Sequence, residues 1–479
     1  MNKQKQKRTK IVATIGPASE GKKTLEKMIN SGMNVARFNF SHGEYEWHGE
    51  VMKRVRKISQ KFKTGVGILA DLQGPRIRTL VTSDVSVKSG EKIEVCEKSN
   101  KYLSKNKKGD KVICIDKKNI LNNLKKGQDI LIEDGLIKLQ VIKSGKTCQT
   151  KVIDGGVIKN HKGINIPGAD LDIEIITRKD RKDLDFALKN DVDFVALSFV
   201  KNANDIKRLR KIIQRKKRGN QPQIIAKIER QEAIDNLDEI IKEADAIMVA
   251  RGDLGIEMDQ SKVIILQKEI ISKSIKCVKP VIVATQMLNS MIDNPRPTRA
   301  EIGDVTNAVI DHVDAVMLSG ESATGKYPVE SVSIMSKIIR RTEESIYDDI
   351  YKALEYKIKS EYVIVIKSAY ELAKSFDAEA ICMISISGFT AKLVSHFRPD
   401  QQILVITNNE KTFNQVALLW GVDCYFLKNK TKLSGFIDKL VKKAKKDKKL
   451  KKDDKIVVII GRSPEGKKIR LVGVKKVNK

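Results

Sequence analysis

The chain has 479 residues, 41% hydrophobic and 32% charged, with 92 Lys and Arg against 60 Asp and Glu and a formal net charge of +32. That is ample for a large core in two or three domains. The six cysteines carry no CxxC spacing and the five histidines no metal-ligand spacing, which argues against a zinc site or a disulfide framework. No segment reads as a signal peptide or as an apolar run long enough to cross a bilayer, so a reducing cytoplasm and no membrane contact are expected. The positive charge is spread widely rather than laid in one stripe, and reads as a lysine-rich solvated surface rather than a specific nucleic-acid site. Its densest runs read as a flexible tail (Lys3, Lys5, Lys7, Arg8) and as an exposed helix face or loop (Lys442 to Lys455).

In chain order, short apolar runs recur at Ile11–Ile15, Val35–Phe40, Val66–Ala70, Phe194–Phe199, Ile224–Ile228, Ala246–Ala250, Val281–Ala284 and Ala315–Leu318. Helix-like segments lie between most of them. Strand units alternating with helices predict a (β/α)8 TIM barrel. The stretch from Pro75 to Asp172 is too long for one helix. It is rich in β-branched residues and carries turn signals at Lys126-Gly127-Gln128 and Asp154-Gly155-Gly156, so it predicts a small β domain inserted after the third strand. From about Glu343 the pattern restarts. Ala380–Ser385, Ile403–Thr407, Cys424–Leu427 and Ile456–Ile460 predict a separate C-terminal α/β domain. Tyr362–Ile366 has high β propensity, but Ile366, Ala369, Tyr370 and Ala373 keep helical spacing, which predicts a helix. The expected boundaries are 1–74 with 172–342 for the barrel, 75–171 for the inserted domain and 343–479 for the last domain.

The polar residues fall at the C-terminal ends of the barrel strands, where such folds place reacting groups. On Ile224-Ile225-Ala226-Lys227-Ile228-Glu229, Ile225, Lys227 and Glu229 share one face. A buried cation and anion there are costly unless something binds them. Arg37, Asn39 and Ser41 share a face of the second strand, Asp71 ends the third, Arg251-Gly252-Asp253 follows the sixth, Thr285 ends the seventh and Ser319 the eighth. Taken singly, each has a bland reading: a structural ion pair for Arg37 or Asp71, a cap for Thr285 or Ser319, a turn for Gly252. Together, Glu229 and Asp253 are hard oxygen ligands of the kind Mg²⁺ prefers. Backbone N–H groups at Gly252 and Asp253 suit an anion, Arg37 suits a phosphate, and Lys227 suits a transferring phosphoryl or a developing enolate. No Walker A motif and no kinase glycine loop is present. The pattern implies metal-assisted phosphoryl transfer on a small phosphorylated carboxylate.

Eight stretches in order make a resemblance specific: TKIVATIGPAS (Thr9–Ser19), GMNVARFNFSHG (Gly32–Gly43), ADLQGPRIR (Ala70–Arg78), IIAKIE (Ile224–Glu229), MVARGDLG (Met248–Gly255), ATQMLN (Ala284–Asn289), PRPTRAEIGD (Pro295–Asp304) and VMLSGESATGKY (Val316–Tyr327). Over nearly its full length the chain resembles the pyruvate kinases. The resemblance implies a barrel with an inserted β-barrel lid and a C-terminal α/β domain, and transfer of phosphoryl from phosphoenolpyruvate to ADP, giving pyruvate and ATP. It implies that Lys227 stabilises the phosphoryl and the enolate, and that Glu229 and Asp253 hold Mg²⁺ or Mn²⁺. Gly252, Asp253 and Thr285 would meet the substrate carboxylate, and Arg37 its phosphate. Arg78 would meet the nucleotide phosphates, with His42 and Asn39 nearby, and Thr285 with Ser319 would organise the protonating water. Asp134 of the lid would close over the metal-nucleotide.

Many members of the family bind a monovalent cation beside the positions of Asn39, Ser41, Asp71 and the Leu72 carbonyl, with a glutamate where this chain has Arg76. One branch carries a lysine there in place of the ion. A charge pair at about 4 Å is worth about 4 kcal/mol at an effective dielectric of about 20, so Arg76 implies that K⁺ is dispensable. Ser385, Ser387, Gly388 and Thr390 are similar to the family's loop for a phosphorylated effector; the alternative is a helix start capped by Ser387 or Thr390. Gly461–Gly466 would complete such a site, and a homotetramer is the family's usual assembly. Two rivals are an aldolase-like barrel without the inserted domain, and a non-catalytic RNA-binding protein, which would want aromatic residues interleaved with the basic ones.

Overall fold

In the computed structural model, residues 7–98, 111–169, 174–216, 219–345, 347, 361–428, 435–462 and 468–478 are described. Among these residues, eight parallel strands close a barrel in the order one, eight, seven, six, five, four, three, two. They are Lys10–Thr14, Val35–Asn39, Gly67–Asp71, Phe194–Leu197, Gln223–Ile228, Ala246–Ala250, Val281–Ala284 and Ala315–Leu318. Each expected run holds a strand because each is buried on both faces, which demands near-continuous apolar residues. On the fifth strand Ile224, Ala226 and Ile228 join the outer core under the helices, while Ile225 joins the inner core.

Helix starts carry their own chemistry. Thr298 accepts from Glu301 N and the Glu301 carboxylate accepts from Thr298 N, a capping box that opens the helix Arg299–Ile310. The Pro295–Asp304 stretch is therefore partly structural.

The inserted segment forms a second closed barrel, seven-stranded among the described residues, from Ile77–Leu80, Lys92–Glu97, Val112–Ile115, Asp129–Ile132, Ile137–Lys143, Thr147–Asp154 and Gly163–Asn165. Its own core is built on Ile93, Val95, Ile113, Ile130, Leu139 and Val152. All its pairings are antiparallel except Lys92–Glu97 with Val112–Ile115, which run parallel.

The last part is a five-stranded sheet among the described residues, in the order Val422–Phe426, Gln402–Thr407, Ala380–Ile384, Lys455–Arg462, Lys468–Lys476. Tyr362–Ile366 lies in the helix Glu361–Ser375, as its spacing predicts. The final strand, antiparallel to its neighbour, was not expected. Its Lys468, Arg470, Lys475 and Lys476 mask the alternation that would mark it. The basic block divides between the helix Phe436–Lys446 and the start of the strand at Lys455.

This last unit closes the floor of the eight-stranded barrel. Leu418, only 1% exposed, belongs to the same inner core as Val12, Leu69, Ile225 and Met317. A Cβ at Gly67 would lie 2.8 Å from the Phe194 ring and 3.2 Å from the Asn414 carbonyl, so only glycine lets the two backbones approach. Beside it, Arg398 forms a buried ion pair with Asp314 at 2.9 Å, and Lys411 and Arg56 reach Asp193 at 3.5 and 2.7 Å. The expected flexible start is corrected for Lys7 and Arg8. Arg8 N and Thr9 N donate to the Glu343 carboxylate at 2.7 and 2.6 Å, and the Arg8 guanidinium lies 5.2 Å from the Trp420 ring centroid. These long-range contacts offset the entropy of ordering the segment. Lys3 and Lys5 lie outside the described residues.

Candidate active site

The barrel delivers its polar residues to one mouth because each sits one or two residues past the last inward apolar side chain of its strand. Lys227 is the centre. Its Nζ lies 2.8 Å from Glu229 Oε1 and 3.4 Å from Asp71 Oδ1, and donates to Ser198 Oγ at 2.8 Å. Burial by itself pulls the Lys227 ammonium down, but Asp71, Glu229 and Asp253 outweigh it and raise its pKa, so the ammonium stays charged. Burial pushes the Asp71 carboxyl up, and Lys227 and Arg37 more than reverse this, holding it below the usual carboxylate range.

Glu229 behaves differently. Burial, aided by the neighbouring Asp253, raises its pKa against the pull of Lys227. Its Oε2 accepts from Phe199 N at 2.7 Å, while its buried Oε1 touches Lys227 without hydrogen-bond geometry. Asp253 adds a second carboxylate beside it, and a cation between the two would relieve their repulsion.

Arg37, 9% exposed, is held at both ends. Its Nε and Nη2 meet Asp71 Oδ2, each at 2.7 Å, and its Nη1 donates to Thr14 Oγ1 at 2.8 Å. A guanidinium has five donors, so this clamp orients the group and leaves N–H bonds for an anion. Thr14 and Ser198 were not singled out from the sequence. Each is a lone hydroxyl ending the first or fourth strand, and the only signal was its strand-end position. Their role is to set Arg37 and Lys227, and the Ser198 hydroxyl is itself fixed by donating to the Leu72 carbonyl at 2.7 Å.

On the other side, Gly252 N donates to Thr285 Oγ1 at 2.8 Å, and Thr285 Oγ1 donates to the Ala284 carbonyl at 2.6 Å. Thr285 and Gln286 take φ values of +68° and +53°, a strained left-handed backbone for a β-branched residue. Arg251 supports the strain: its Nη2 donates to the Thr285 carbonyl at 2.7 Å and its Nη1 to Asp304 at 2.6 Å. Arg251, which the sequence places after the sixth strand without a role, is a positioning residue. Ser319 Oγ is buried with no hydrogen-bond partner among the described residues, while its N donates to Glu321 at 2.7 Å.

Asp253 faces a cleft of about 570 Å³ that Arg76, Asp134, Gln286 and Asp304 also line. Asp134 reaches it from the inserted domain on a turn where Glu133, Asp134 and Gly135 all have positive φ. A second cleft between the two domains places Asp134 with Arg76, Arg230, Asp253 and Glu257. Arg78 is anchored through its backbone, its N donating to Asp116 at 2.8 Å, and its side chain donates to the His161 carbonyl at 3.1 Å. Burial lowers the His42 pKa, and Arg76, Arg78 and Arg37 lower it further, which marks a positive field suited to polyphosphate.

The ion-pair partner of Arg76 is Asp253, at 3.9 Å, whereas Asp71 pairs with Arg37 and Lys227. Arg76 also lowers the pKa of His42, the residue after Ser41, so it lies between Asp253 and the end of the second strand. Asn39 Oδ1 accepts from Ser41 N at 3.1 Å. In the C-terminal domain, Gly388 takes φ +80° and opens the helix Phe389–His396 with no side-chain cap, so capping by Ser387 or Thr390 is set aside. Ser385 is buried, and the neighbouring Ile386 carbonyl accepts from Thr412 Oγ1 at 2.6 Å. Gly461 and Arg462 end a strand, and 463–466 lie outside the described residues. Among the described residues no group of three or more His, Cys, Asp or Glu side chains forms a metal cage, and no helix is long and apolar enough to cross a membrane.

Comparison with known proteins decides the family. The family described as "Pyruvate kinase, barrel domain" matches residues 6–332, and "Pyruvate kinase, alpha/beta domain" matches residues 364–469. The chain belongs to the pyruvate kinase family. It is 38% identical to a pyruvate kinase of Bacillus licheniformis over 95% of this chain and 78% of that protein. It is 41% identical to one from Geobacillus stearothermophilus over 87% of this chain and 71% of that protein. Among solved structures it is similar to a pyruvate kinase from Cryptosporidium parvum, with a TM-score of 0.91 and 35% identity, covering 98% of this chain and 96% of that one. Family membership and the inserted barrel together set aside the aldolase-like rival.

Proposed function

We propose that this chain transfers phosphoryl from phosphoenolpyruvate to ADP, giving pyruvate and ATP, and that Lys227 and its neighbours carry the step. The supporting observation is the buried Lys227 ammonium held between Glu229 and Asp71 beside a clamped Arg37, with Asp253 lining a cleft that Asp134 of the inserted domain also lines. Arg37, Lys227 and Arg76 balance Asp71, Glu229 and Asp253, so the negative charge of an incoming phosphorylated carboxylate and a polyphosphate calls for an added cation. Mg²⁺ or Mn²⁺ fits there: Glu229 and Asp253 would hold it, the two carboxylates stand close enough for Asp253 to raise the Glu229 pKa, and two carboxylates leave positions for water and phosphate oxygens. Bound there, the ion would polarise phosphoryl oxygens.

The chain's own residues do the rest. Arg37 grips the substrate phosphate with its free N–H bonds. Thr285, with Gly252 and Asp253, meets the carboxylate. Lys227 neutralises charge that grows on the phosphoryl and the enolate oxygen in the transition state. The unpaired Ser319 hydroxyl and Thr285 hold the water that gives the enolate carbon its proton. Arg78, His42 and Asn39 receive the nucleotide, and Asp134 closes over it. A coupled assay of pyruvate formation tests this, with phosphoenolpyruvate, ADP and Mg²⁺ supplied to folded protein. Absence of pyruvate would overturn it.

Finer features follow as proposals. The domains run 1–74 with 172–342, 75–171 and 343–479. Turnover does not need K⁺, because Asp71 is already matched by two cations and Arg76 adds a third at the mouth. Ser385, Ser387, Gly388 and Thr390 form part of a site for a phosphorylated effector. The enzyme is a cytoplasmic homotetramer.

A further inference from the structure

The inserted barrel brings together two cysteines that the sequence keeps apart. Cys96 and Cys114 are direct partners in the parallel pairing of Lys92–Glu97 with Val112–Ile115. Adjacent strands lie about 4.8 Å apart, and direct partners point to the same face. That separation falls within the about 4.4–6.8 Å Cα range that a disulfide spans. Their neighbours Val95, Ile113 and Ile115 belong to the barrel interior, and both cysteines stand on the opposite face, each fully buried. Cys148 is part of the interior, so it is not a member of this pair. All six cysteines of the chain are reduced.

We propose that Cys96 and Cys114 form a reversible disulfide, a redox modification site in the lid whose oxidant is a low-molecular-weight disulfide of the glutathione class. When local opening of the strand pair exposes it, the Cys114 thiolate attacks one sulfur of that disulfide, forming a mixed disulfide and expelling a thiolate. Cys96, after losing its proton, attacks the Cys114 sulfur and expels the second thiolate. Two protein thiols thereby pass two electrons to the small disulfide, which leaves as two thiols once the two protons are taken up. The order follows the local chemistry. The hydrogen bond from Cys96 lowers the Cys114 pKa, burial opposing, and the same bond with burial raises that of Cys96.

The cross-link reaches the nucleotide side of the site through a short path. Cys114 is also the direct partner of Leu80, on the strand that carries Arg78. Two residues on, Asp116 brackets Arg78: Arg78 N donates to Asp116 Oδ1 at 2.8 Å, and Asp116 N donates to the Arg78 carbonyl at 3.0 Å. Drawing Cys114 toward Cys96 moves that bracket. This consequence, unlike the disulfide itself, rests on the proposed role of Arg78.

The test uses the full-length protein, equilibrated with oxidised and reduced glutathione at graded ratios, alkylated, digested without reduction and mapped by mass spectrometry. The expected result is a Cys96–Cys114 linked peptide that dithiothreitol dissolves and that Cys96→Ser abolishes while Cys148→Ser keeps. The KM for ADP shifts by roughly threefold or more on oxidation, within the range of coupling through packed elements, and that for phosphoenolpyruvate does not. The proposal is overturned if the partly exposed Cys277 is fully glutathionylated in the wild-type chain while no Cys96–Cys114 peptide forms. A linked peptide with an unchanged KM for ADP keeps the disulfide and refutes the bracket's link to the nucleotide.

Discussion

Replacing Lys227 with methionine removes one cation from a buried cluster and keeps the volume. At an effective dielectric of about 20, the ammonium attracts Glu229 at 2.8 Å by about 6 kcal/mol and Asp71 at 3.4 Å by about 5 kcal/mol, before desolvation. Desolvation of the lysine returns much of that. What remains is the penalty of stranding carboxylates, about 3–5 kcal/mol for a broken buried pair. Asp71 keeps Arg37, so the lower end is expected, with Glu229 taking up a proton at higher pH than in the parent. The catalytic loss is separate. Losing a preorganised charge aimed at the transition state lowers kcat by roughly 10²–10³, about 2.7–4 kcal/mol of barrier. The KM for phosphoenolpyruvate should change far less, since Arg37 and Thr285 still hold the substrate. Steady-state kinetics well below the melting temperature, beside thermal unfolding of the same preparation, separate the two effects. A folded variant whose kcat stays within about threefold of the parent would refute the assignment of Lys227.

Asp253→Asn should raise the Mg²⁺ concentration for half-maximal rate by roughly tenfold or more, and a metal titration of activity that is unchanged would remove Asp253 from the ligand set. Exchanging K⁺ for tetramethylammonium should leave the rate of the parent unchanged, whereas Arg76→Glu should acquire a K⁺ requirement; collapse of the parent on exchange contradicts the charge argument. Leu418→Ala should cost about 2–5 kcal/mol, measured by denaturant unfolding, because it opens a cavity in the barrel floor. His396, fully buried, has its pKa lowered from 6.5 to about 4, first by burial. The unfolded chain then binds the extra proton between pH 6.5 and about 4, so stability is complete above pH 6.5 and falls as pH drops through that window, by about 3 kcal/mol in total. Unfolding midpoints of the parent and of His396→Gln across that range should converge at low pH.

Much of the catalytic end was legible because barrel strands advertise themselves. Burial on both faces makes each an apolar run, and the polar residues at or just past the end of the run lie at the mouth. Lys227, Glu229, Asp71 and Thr285 could be found that way. Thr14 and Ser198 could not, since a single hydroxyl after a strand is common and its importance lies in which side chain it touches. Arg251 is placed at a strand end by the sequence but given no role there: it works by holding the carbonyls of Thr285 and Gln286, residues far along the chain.

Local pattern alone thus determined the alternation of strands and helices, the insertion after the third strand, the helix at Glu361–Ser375 and the chemical types gathered at the rim. Those properties follow from period, burial and propensity, which neighbours in sequence carry. Only the folded chain decided that Arg76 faces Asp253, that Leu418 plugs the barrel from another domain, and that Cys96 meets Cys114. Each is a contact between residues far apart in sequence or on different strands, set by register and domain docking, and no local spacing encodes it.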